Sequence, residues 1–196
     1  MPPHTIRTVA ALVLGCALAT GAALAQERVL EALEARLAAN PRDAAGLEEL
    51  GIEHLRRGDY ARAFIQFHKS LAVAPERGTP HFYLGLIYFE KGIHSKEIEA
   101  YHKALLRLPE FMPAHLNLAH AYLAAGRIEE AIEQYRWVER RDPRNLTVLF
   151  NLGMVFADLN RPEEGRRYLK RFLRLAPADH PVRGKAAQVL AEVDSK

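Results

Sequence analysis

Prolines recur along this sequence at a fixed spacing of 34 residues, and the period extends over most of its 196 residues. They are Pro41, Pro75, Pro109, Pro143 and Pro177. A fixed period of this length is typical of a solenoid, in which each unit buries its apolar face only by stacking on its neighbours. The spacing therefore predicts an array of similar units, a kind of chain that commonly holds another chain.

Small, apolar and turn-forming residues also recur in register within each period. Counted from Ala44 and its equivalents, the seventh residue is always leucine and the eighth is always small. Apolar residues at positions 4, 7, 8 and 11, and again at 20, 24, 27 and 28, share one face of a helix. Position 15 is a turn-forming residue, namely Gly58, Gly92, Gly126 or Asn160. This residue ends a first helix and the closing proline ends a second, so each unit is predicted to be an antiparallel helix pair.

Over residues 44–177 this pattern resembles the tetratricopeptide repeat (TPR) family. Unit length, small residues, aromatic residues and closing proline agree in all four units. The resemblance implies an all-α, right-handed TPR solenoid of four helix-turn-helix repeats. The chain departs from the family at position 4, where tryptophan is usual and this sequence has Leu47, His81, His115 and Leu149.

Position 20 contains one residue that does not suit a close helix crossing. It is Glu97 in the second unit and a small residue in the other three. A carboxylate at such a crossing costs free energy unless it is paired or reaches water. We expect Gly85, on the facing helix, to give Glu97 room.

The register divides the sequence into a leader, four repeats and two flanking helices. The predicted segments are a signal peptide (1–25), a half-repeat helix (26–43), TPR 1 (44–77), TPR 2 (78–111), TPR 3 (112–145), TPR 4 (146–177) and a capping helix (178–196). End units of a solenoid need a polar outer surface. The last segment fits this need, since Lys185, Gln188 and Glu192 lie on a mostly polar helix.

The first 25 residues have the three-part layout of a secretory signal peptide. A short basic start precedes an apolar, alanine-rich run, and Ala23-Leu24-Ala25 before Gln26 has the small residues of a cleavage site. Gly15, Thr20 and Gly21 interrupt the run, which disfavours a retained membrane helix. We therefore predict export, most simply to the periplasm, with cleavage after Ala25.

Cys16 supports an alternative in which the protein is a membrane-anchored lipoprotein. The segment Val13-Leu14-Gly15-Cys16 resembles a bacterial lipoprotein box, whose cysteine becomes the lipidated N-terminus. The apolar run continues past Cys16, which suits the core of a cleaved signal better than a tether. Cleavage after Ala25 removes the only cysteine, so the mature chain would form no disulfide.

The charge balance argues against a nucleic-acid partner. Cleavage after Ala25 leaves 26 basic and 24 acidic residues, far from the basic excess typical of nucleic-acid binding. The basic residues nevertheless concentrate in the last half, mostly on second helices: Arg136, Arg140, Arg141, Arg144, Arg166, Arg167, Lys170, Arg171 and Arg174. This outer basic face is either a solvated surface or a contact with an anionic surface such as lipid head groups.

The family resemblance implies a partner-binding groove lined by the first helix of each repeat. The residues that it assigns to the groove are Phe82, Tyr83, Leu86, Phe89, Leu116, Asn117, His120, Leu123, Phe150, Asn151 and Met154. In the first repeat the corresponding residues include Glu48, Glu49 and Arg56, which predicts a charged lip. An exposed apolar patch with a charged rim is typical of a protein-binding surface.

Asn117 and Asn151 occupy position 6 of successive repeats. An asparagine side chain can donate to and accept from a peptide backbone at once, and peptide-binding members of the family stack asparagines for this purpose. Asparagine is also the ordinary family residue at this position, so peptide contact and simple family descent both remain open.

No catalytic, cofactor or metal site is predicted. The nine histidines include no His-Glu-x-x-His helix, and the same position in successive repeats is about 10 Å apart, too far for shared ligation. No serine lies in a Gly-x-Ser-x-Gly motif. Trp137 is expected to pack against the next repeat or, as the alternative, to form a second contact point on the outer face.

Two functional hypotheses follow. The first is a non-catalytic adaptor of the bacterial cell envelope that binds a partner segment in the groove; exported family members serve secretion, pilus, outer-membrane, cytochrome-maturation and wall-synthesis systems. The second is an envelope-surface module that acts through its outer basic face or through self-association, and that would be a lipoprotein if Cys16 is lipidated.

Overall fold

A computed structural model describes residues 27–195, and the residues in this range form ten helices and no strand. In chain order they are α1 (27–39), α2 (Ala44–Arg56), α3 (Tyr60–Val73), α4 (Thr79–Glu90), α5 (His94–Arg107), α6 (Met112–Ala124), α7 (Ile128–Arg141), α8 (Leu146–Asp158), α9 (Pro162–Leu175) and α10 (Arg183–Asp194). The all-α fold of four helix-turn-helix pairs with a flanking helix at each end is confirmed. The predicted signal peptide and Cys16 lie outside the described residues.

The chain forms two compact units, one ending at Pro80 and the other beginning at His81. The first contains α1, α2 and α3. The second contains α5 to α10 and all but the first two residues of α4.

The turn between the helices of each pair has the same backbone conformation in all four repeats. Gly58, Gly92 and Gly126 have φ of 73°, 66° and 72°, and Asn160 has φ of 56°. Glycine adopts this left-handed region without a steric penalty, and asparagine tolerates it better than most residues. The predicted role of position 15 is thereby confirmed.

Side chains and prolines define the other helix ends. Asp43, Asp59 and Asn145 each accept a hydrogen bond from the backbone N–H three residues later, at 2.9, 3.0 and 3.1 Å. Such N-caps satisfy donors that the first turn of a helix leaves unpaired. The second helices end at Val73, Arg107, Arg141 and Leu175, two residues before the repeated prolines.

Within the first compact unit, α2 and α3 cross closely at Gly51. A Cβ atom added to Gly51 would lie 2.7 Å from the ring of Phe67, which is fully buried. Leu33 of α1 and Leu47 and Leu50 of α2 complete the apolar centre of this unit.

Within the second compact unit, one hydrophobic core extends from Phe82 of α4 to Ala186 of α10. Its largest fully buried side chains include Tyr101, Tyr135 and Leu169, all at position 24 of their repeats. These large residues pack against the small residues predicted at position 8; for example, a Cβ added to Gly153 would lie 2.8 Å from Leu169.

The helix α10 closes the end of this core. It packs on α8 and α9 and buries Ala186 and Val193, while Lys185, Gln188 and Glu192 are exposed. Arg183 donates hydrogen bonds to the carbonyl oxygens of Leu173 and Ala176, at 2.5 and 2.7 Å. Among the helices described, none is both long enough and apolar enough to cross a membrane.

Candidate functional site

A first cavity of about 150 Å³ opens between α4 and α6, with α5 as its floor. Leu86 and Phe89 of α4 face Asn117 and His120 of α6, and Glu97 and Tyr101 rise from α5; these six residues form the lining. Phe89 is 52% exposed. An apolar wall with a few polar groups is the usual composition of a specific binding pocket.

A second cavity of about 350 Å³ lies one repeat further along, between α6, α7 and α8. Its lining includes the predicted groove residues Leu123, Asn151 and Met154. The remaining lining residues are Gly126, Ile128, Val155, Asp158 and Leu159. A hydrogen bond of 3.2 Å from Asn151 Nδ2 to His120 Nε2 joins the linings of the two cavities.

The structure thus brings seven of the eleven predicted groove residues together in two adjoining cavities. Tyr83, Leu116 and Phe150 line neither cavity and are half-buried against the core. The first cavity also contains two residues that sequence reasoning did not assign to the groove, Glu97 and Tyr101. Only Glu97 had given a sequence signal, since it is the one charged residue at position 20.

For Phe82 the structure corrects the prediction. Its side chain is only 8% exposed and belongs to the core. Its ring centroid lies 5.0 Å from that of Phe111 and 5.9 Å from that of Tyr101. Such edge-on and tilted aromatic contacts are typical of buried packing. Phe82 is therefore a core residue and does not line the groove.

Asn117 hydrogen-bonds to the buried hydroxyl of Tyr101. Burial raises the pKa of Tyr101, and the contact with Asn117 opposes this shift, because the amide N–H of Asn117 donates to the tyrosine oxygen. This bond orients the side chain of Asn117 on the α6 side of the first cavity.

The corresponding pair in the next repeat, Asn151 and Tyr135, is arranged differently. Asn151 donates to His120 instead. Desolvation lowers the pKa of His120, which favours the neutral ring whose Nε2 can accept this bond. The hydroxyl of Tyr135 is buried and has no hydrogen-bond partner among residues 27–195.

The two tyrosines give a matched pair of predictions. Tyr135→Phe should raise the free energy of unfolding by about 1 kcal/mol, because it removes a buried donor that has no acceptor. Tyr101→Phe should lower it by about 1 kcal/mol, because it breaks a satisfied bond and leaves Asn117 unpaired. Urea unfolding followed by circular dichroism measures both; equal shifts in the same direction would contradict the assignment of these hydrogen bonds.

Glu97 is an almost fully buried carboxylate with a single partner. It is 1% exposed, and its Oε2 lies 3.0 Å from Nδ1 of His94. Burial raises the pKa of Glu97 above its ordinary value, and the contact with His94 opposes this shift. No described residue donates a hydrogen bond to its second oxygen, Oε1.

A family comparison decides what kind of repeat builds these cavities. The tetratricopeptide repeat model matches residues 49–113 and 116–180, together more than half of the sequence. The chain belongs to this family. A comparison with curated protein sequences found no match.

Several solved structures share the TPR fold. MamA has 20% identity and a TM-score of 0.70, with 76% of this chain and 87% of that chain covered. YrrB, described as a TPR protein with an unusual peptide-binding site, has 20% identity, a TM-score of 0.71 and 86% coverage of both chains. PilF of Pseudomonas aeruginosa has 15% identity and a TM-score of 0.73, with 90% and 84% covered. At these identities the likeness shows the fold alone.

On the second helices of this TPR protein, much of the outer basic face is engaged within the chain. Arg141 pairs with Glu110, Arg171 with Glu139, and Arg166 with Glu163, each with a shortest N–O distance of 2.6 Å between those partners. Further contacts of this face are Arg166 with Asp194, Arg136 over the ring of Phe156 and Arg167 over that of Tyr168. The ion pairs with glutamate and aspartate reduce the positive charge available to an external partner.

Trp137 packs within this TPR array. Its ring stacks on His115 with centroids 3.5 Å apart, and the guanidinium carbon of Arg141 lies 3.5 Å from the ring centroid. Both partners belong to the same repeat as Trp137, so its packing against the next repeat stays a prediction.

In the first compact unit, the prediction of a charged lip is wrong for Glu48. Glu48 is 5% exposed and forms an ion pair with Arg77, whose Nη2 lies 3.2 Å from Oε2. Ser70 contributes a hydrogen bond of 3.1 Å to Oε1. Glu48 is therefore an internal structural residue.

Within residues 27–195, no group of three or more histidine, cysteine, aspartate or glutamate side chains has the arrangement needed to hold a metal ion.

Proposed function

We propose that this TPR protein is a non-catalytic adaptor that holds a segment of a partner protein in the groove formed by α4, α6 and α8. The observation that carries the proposal is the pair of adjoining cavities, with apolar walls and one asparagine each. Apolar pockets at regular spacing give side-chain specificity, and polar groups between them orient a bound backbone.

The two asparagines keep hydrogen-bonding capacity for such a backbone. Asn151 uses one N–H to reach His120, and Asn117 uses one N–H to reach the tyrosine oxygen of Tyr101. An asparagine amide has two donors and an oxygen with two lone pairs. Each side chain is held by one internal bond and retains groups that a peptide N–H or C=O can reach.

The comparison with YrrB supports a peptide-binding role by analogy of fold. That protein is described as having an unusual peptide-binding site, and this chain has apolar cavities lined by the first helices of consecutive repeats. Because fold alone does not determine function, the proposal depends on the cavities and not on the likeness.

We further propose that the adaptor works in the bacterial cell envelope after export. The support is the layout of residues 1–25, with a basic start, an apolar run and Ala23-Leu24-Ala25. The mass of the N-terminal peptide tests this: a mature chain that begins at Gln26 supports a cleaved signal peptide. A lipid-modified Cys16 would show that the protein is a lipoprotein instead.

An envelope-surface module acting through the outer basic face or through self-association is the second candidate. The accumulation of basic residues on the second helices favours it. The pairs of Arg141, Arg166 and Arg171 with glutamates weaken it, because a paired guanidinium offers less charge to an anionic surface. The groove is therefore the better-supported site.

Site-specific photo-crosslinking tests the adaptor function. A crosslinking amino acid is placed at Phe89 or Leu123, in the linings of the two cavities, and at the exposed Lys185 as a control. We expect the two groove positions to give one dominant protein adduct, and we expect Lys185 not to give that adduct. Adding Met154→Asp should abolish the adduct, because a charge in the second cavity opposes burial of an apolar side chain.

Two results would count against this function. Equal capture of the same protein at Lys185 would show contact without use of the groove. Undiminished capture by the Met154→Asp chain, with an unchanged circular dichroism spectrum, would show that the second cavity is not occupied.

A further inference from the structure

The first cavity contains a charge that its apolar walls do not explain. Leu86, Phe89 and the ring of Tyr101 would suit an uncharged side chain, yet Glu97 is part of the same lining and is 1% exposed. The other repeats have Ala63, Ala131 and Gly165 at this position. The carboxylate is therefore not a requirement of the repeat.

Glu97 also lacks the partners that a buried carboxylate normally has. Buried charges are usually ion-paired and hydrogen-bonded on all sides. His94 contacts Oε2 at 3.0 Å, and Oε1 accepts no hydrogen bond from any residue that the structure describes. By contrast, the buried carboxylate of Glu48 in the first unit is held by both Arg77 and Ser70.

We propose that the first cavity binds a lysine or arginine side chain of the partner segment, and that Glu97 pairs with its positive charge. The inference rests on the proposed function, since it names the chemistry of one side chain in the same groove. The methylene groups of such a side chain would lie against Leu86, Phe89 and Tyr101, and its cationic end would reach Oε1.

The dimensions of the cavity agree with one long side chain. Its volume is about 150 Å³, whereas pockets for drug-sized ligands have volumes of roughly 300–1,000 Å³. Asn117 and His120 stand at the side that adjoins the second cavity. The side chain in the second cavity, whose lining includes Ile128, Met154 and Leu159, would therefore be apolar.

Charge complementarity makes a cation the occupant that the cavity favours. Burial disfavours the ionised form of Glu97, as the raised pKa shows, and a cation brought to Oε1 would reverse this effect. Desolvation lowers the pKa of His120, the titratable side chain that α6 adds to the lining, which disfavours a positive charge there.

Selection of random peptides displayed on phage, with the full chain as bait, tests the inference. The same selection is made with Glu97→Gln and with Glu99→Gln, a matched control, because Glu99 is exposed on the same helix and pairs with Lys103. Wild type and Glu99→Gln should both select peptides with lysine or arginine at one fixed position. Glu97→Gln should lose that preference.

A selected peptide is then compared with its analogue in which norleucine replaces the basic residue. Norleucine keeps the aliphatic chain and removes the charge, so it isolates the ion pair. We expect the analogue to bind wild type about tenfold more weakly and to bind Glu97→Gln with nearly the same affinity as the parent peptide. Circular dichroism of each variant verifies that the helices are intact.

The outcomes separate this inference from the proposed function. Selected peptides whose binding depends on Met154 would support the adaptor function. If these peptides have no fixed basic residue, or if they bind Glu97→Gln as tightly as wild type, the cation site is overturned and the adaptor function is left intact. Failure to select any peptide that Met154→Asp weakens would overturn both.

Discussion

Phe172→Ala is expected to lower the free energy of unfolding by about 4 kcal/mol, the range found when a fully buried aromatic side chain is truncated. Phe172 has no exposed surface and lies in the core of the second compact unit. Its ring lies 5.5 Å from that of Phe150 and 5.2 Å from that of His180, measured between centroids. Truncation would therefore leave a cavity between α8, α9 and the segment that leads to α10.

Urea unfolding measures this change, and Trp137 provides a local probe. It is the only tryptophan in the chain and packs on His115 in the same compact unit. Phe172→Leu is the matched control, with an expected loss of about 1 kcal/mol, because most of the buried apolar volume is kept. An alanine variant that unfolds at the same urea concentration as the leucine variant would contradict the packing of this core.

The repeat architecture could be predicted from sequence because its determinants are local and periodic. The 34-residue spacing of the prolines and the turn residues Gly58, Gly92, Gly126 and Asn160 define where helices end. These constraints act through backbone conformation, which depends on residue type and near neighbours. The small residues at position 8 also predicted correctly where the paired helices approach.

The face of α4 that lines the groove could not be predicted with the same accuracy. From Phe82 to Phe89 the helix is apolar except for Gly85 and the tyrosine hydroxyls. When apolar residues surround a helix, periodicity cannot distinguish the buried face from the exposed one. Phe82 and Phe89 are the same residue type and were both assigned to the groove. In the structure Phe82 is buried, whereas Phe89 is 52% exposed.

Contacts between residues far apart in sequence were also beyond prediction. His120 and Asn151 are hydrogen-bonded across 31 residues, and Arg77 reaches Glu48 across 29. Repeat symmetry would have paired Asn151 with Tyr135, as Asn117 pairs with Tyr101. His120 changes this pairing because it introduces an acceptor where the second repeat has Leu86.

Arg77→Met is expected to lower the free energy of unfolding by about 2 kcal/mol. Loss of one partner from a fully buried ion pair costs roughly 3–5 kcal/mol, because the other charge is left unpaired away from water. The cost here is smaller, since the side chain of Arg77 is 38% exposed while that of Glu48 is 7% exposed. After the substitution, the carboxylate of Glu48 would keep only the hydrogen bond from Ser70.

A double-mutant cycle distinguishes this cost from loss of packing by the arginine side chain. Glu48→Met combined with Arg77→Met should recover most of the lost stability, because no unpaired charge remains and methionine fills a similar volume. Arg62→Met, which removes an exposed contact with Asp59, should have a much smaller effect than Arg77→Met. Circular dichroism is the appropriate measurement, since the first compact unit contains no tryptophan. Additive effects of the two methionine substitutions would contradict the interpretation, because they would show that Glu48 and Arg77 stabilise the unit independently of each other.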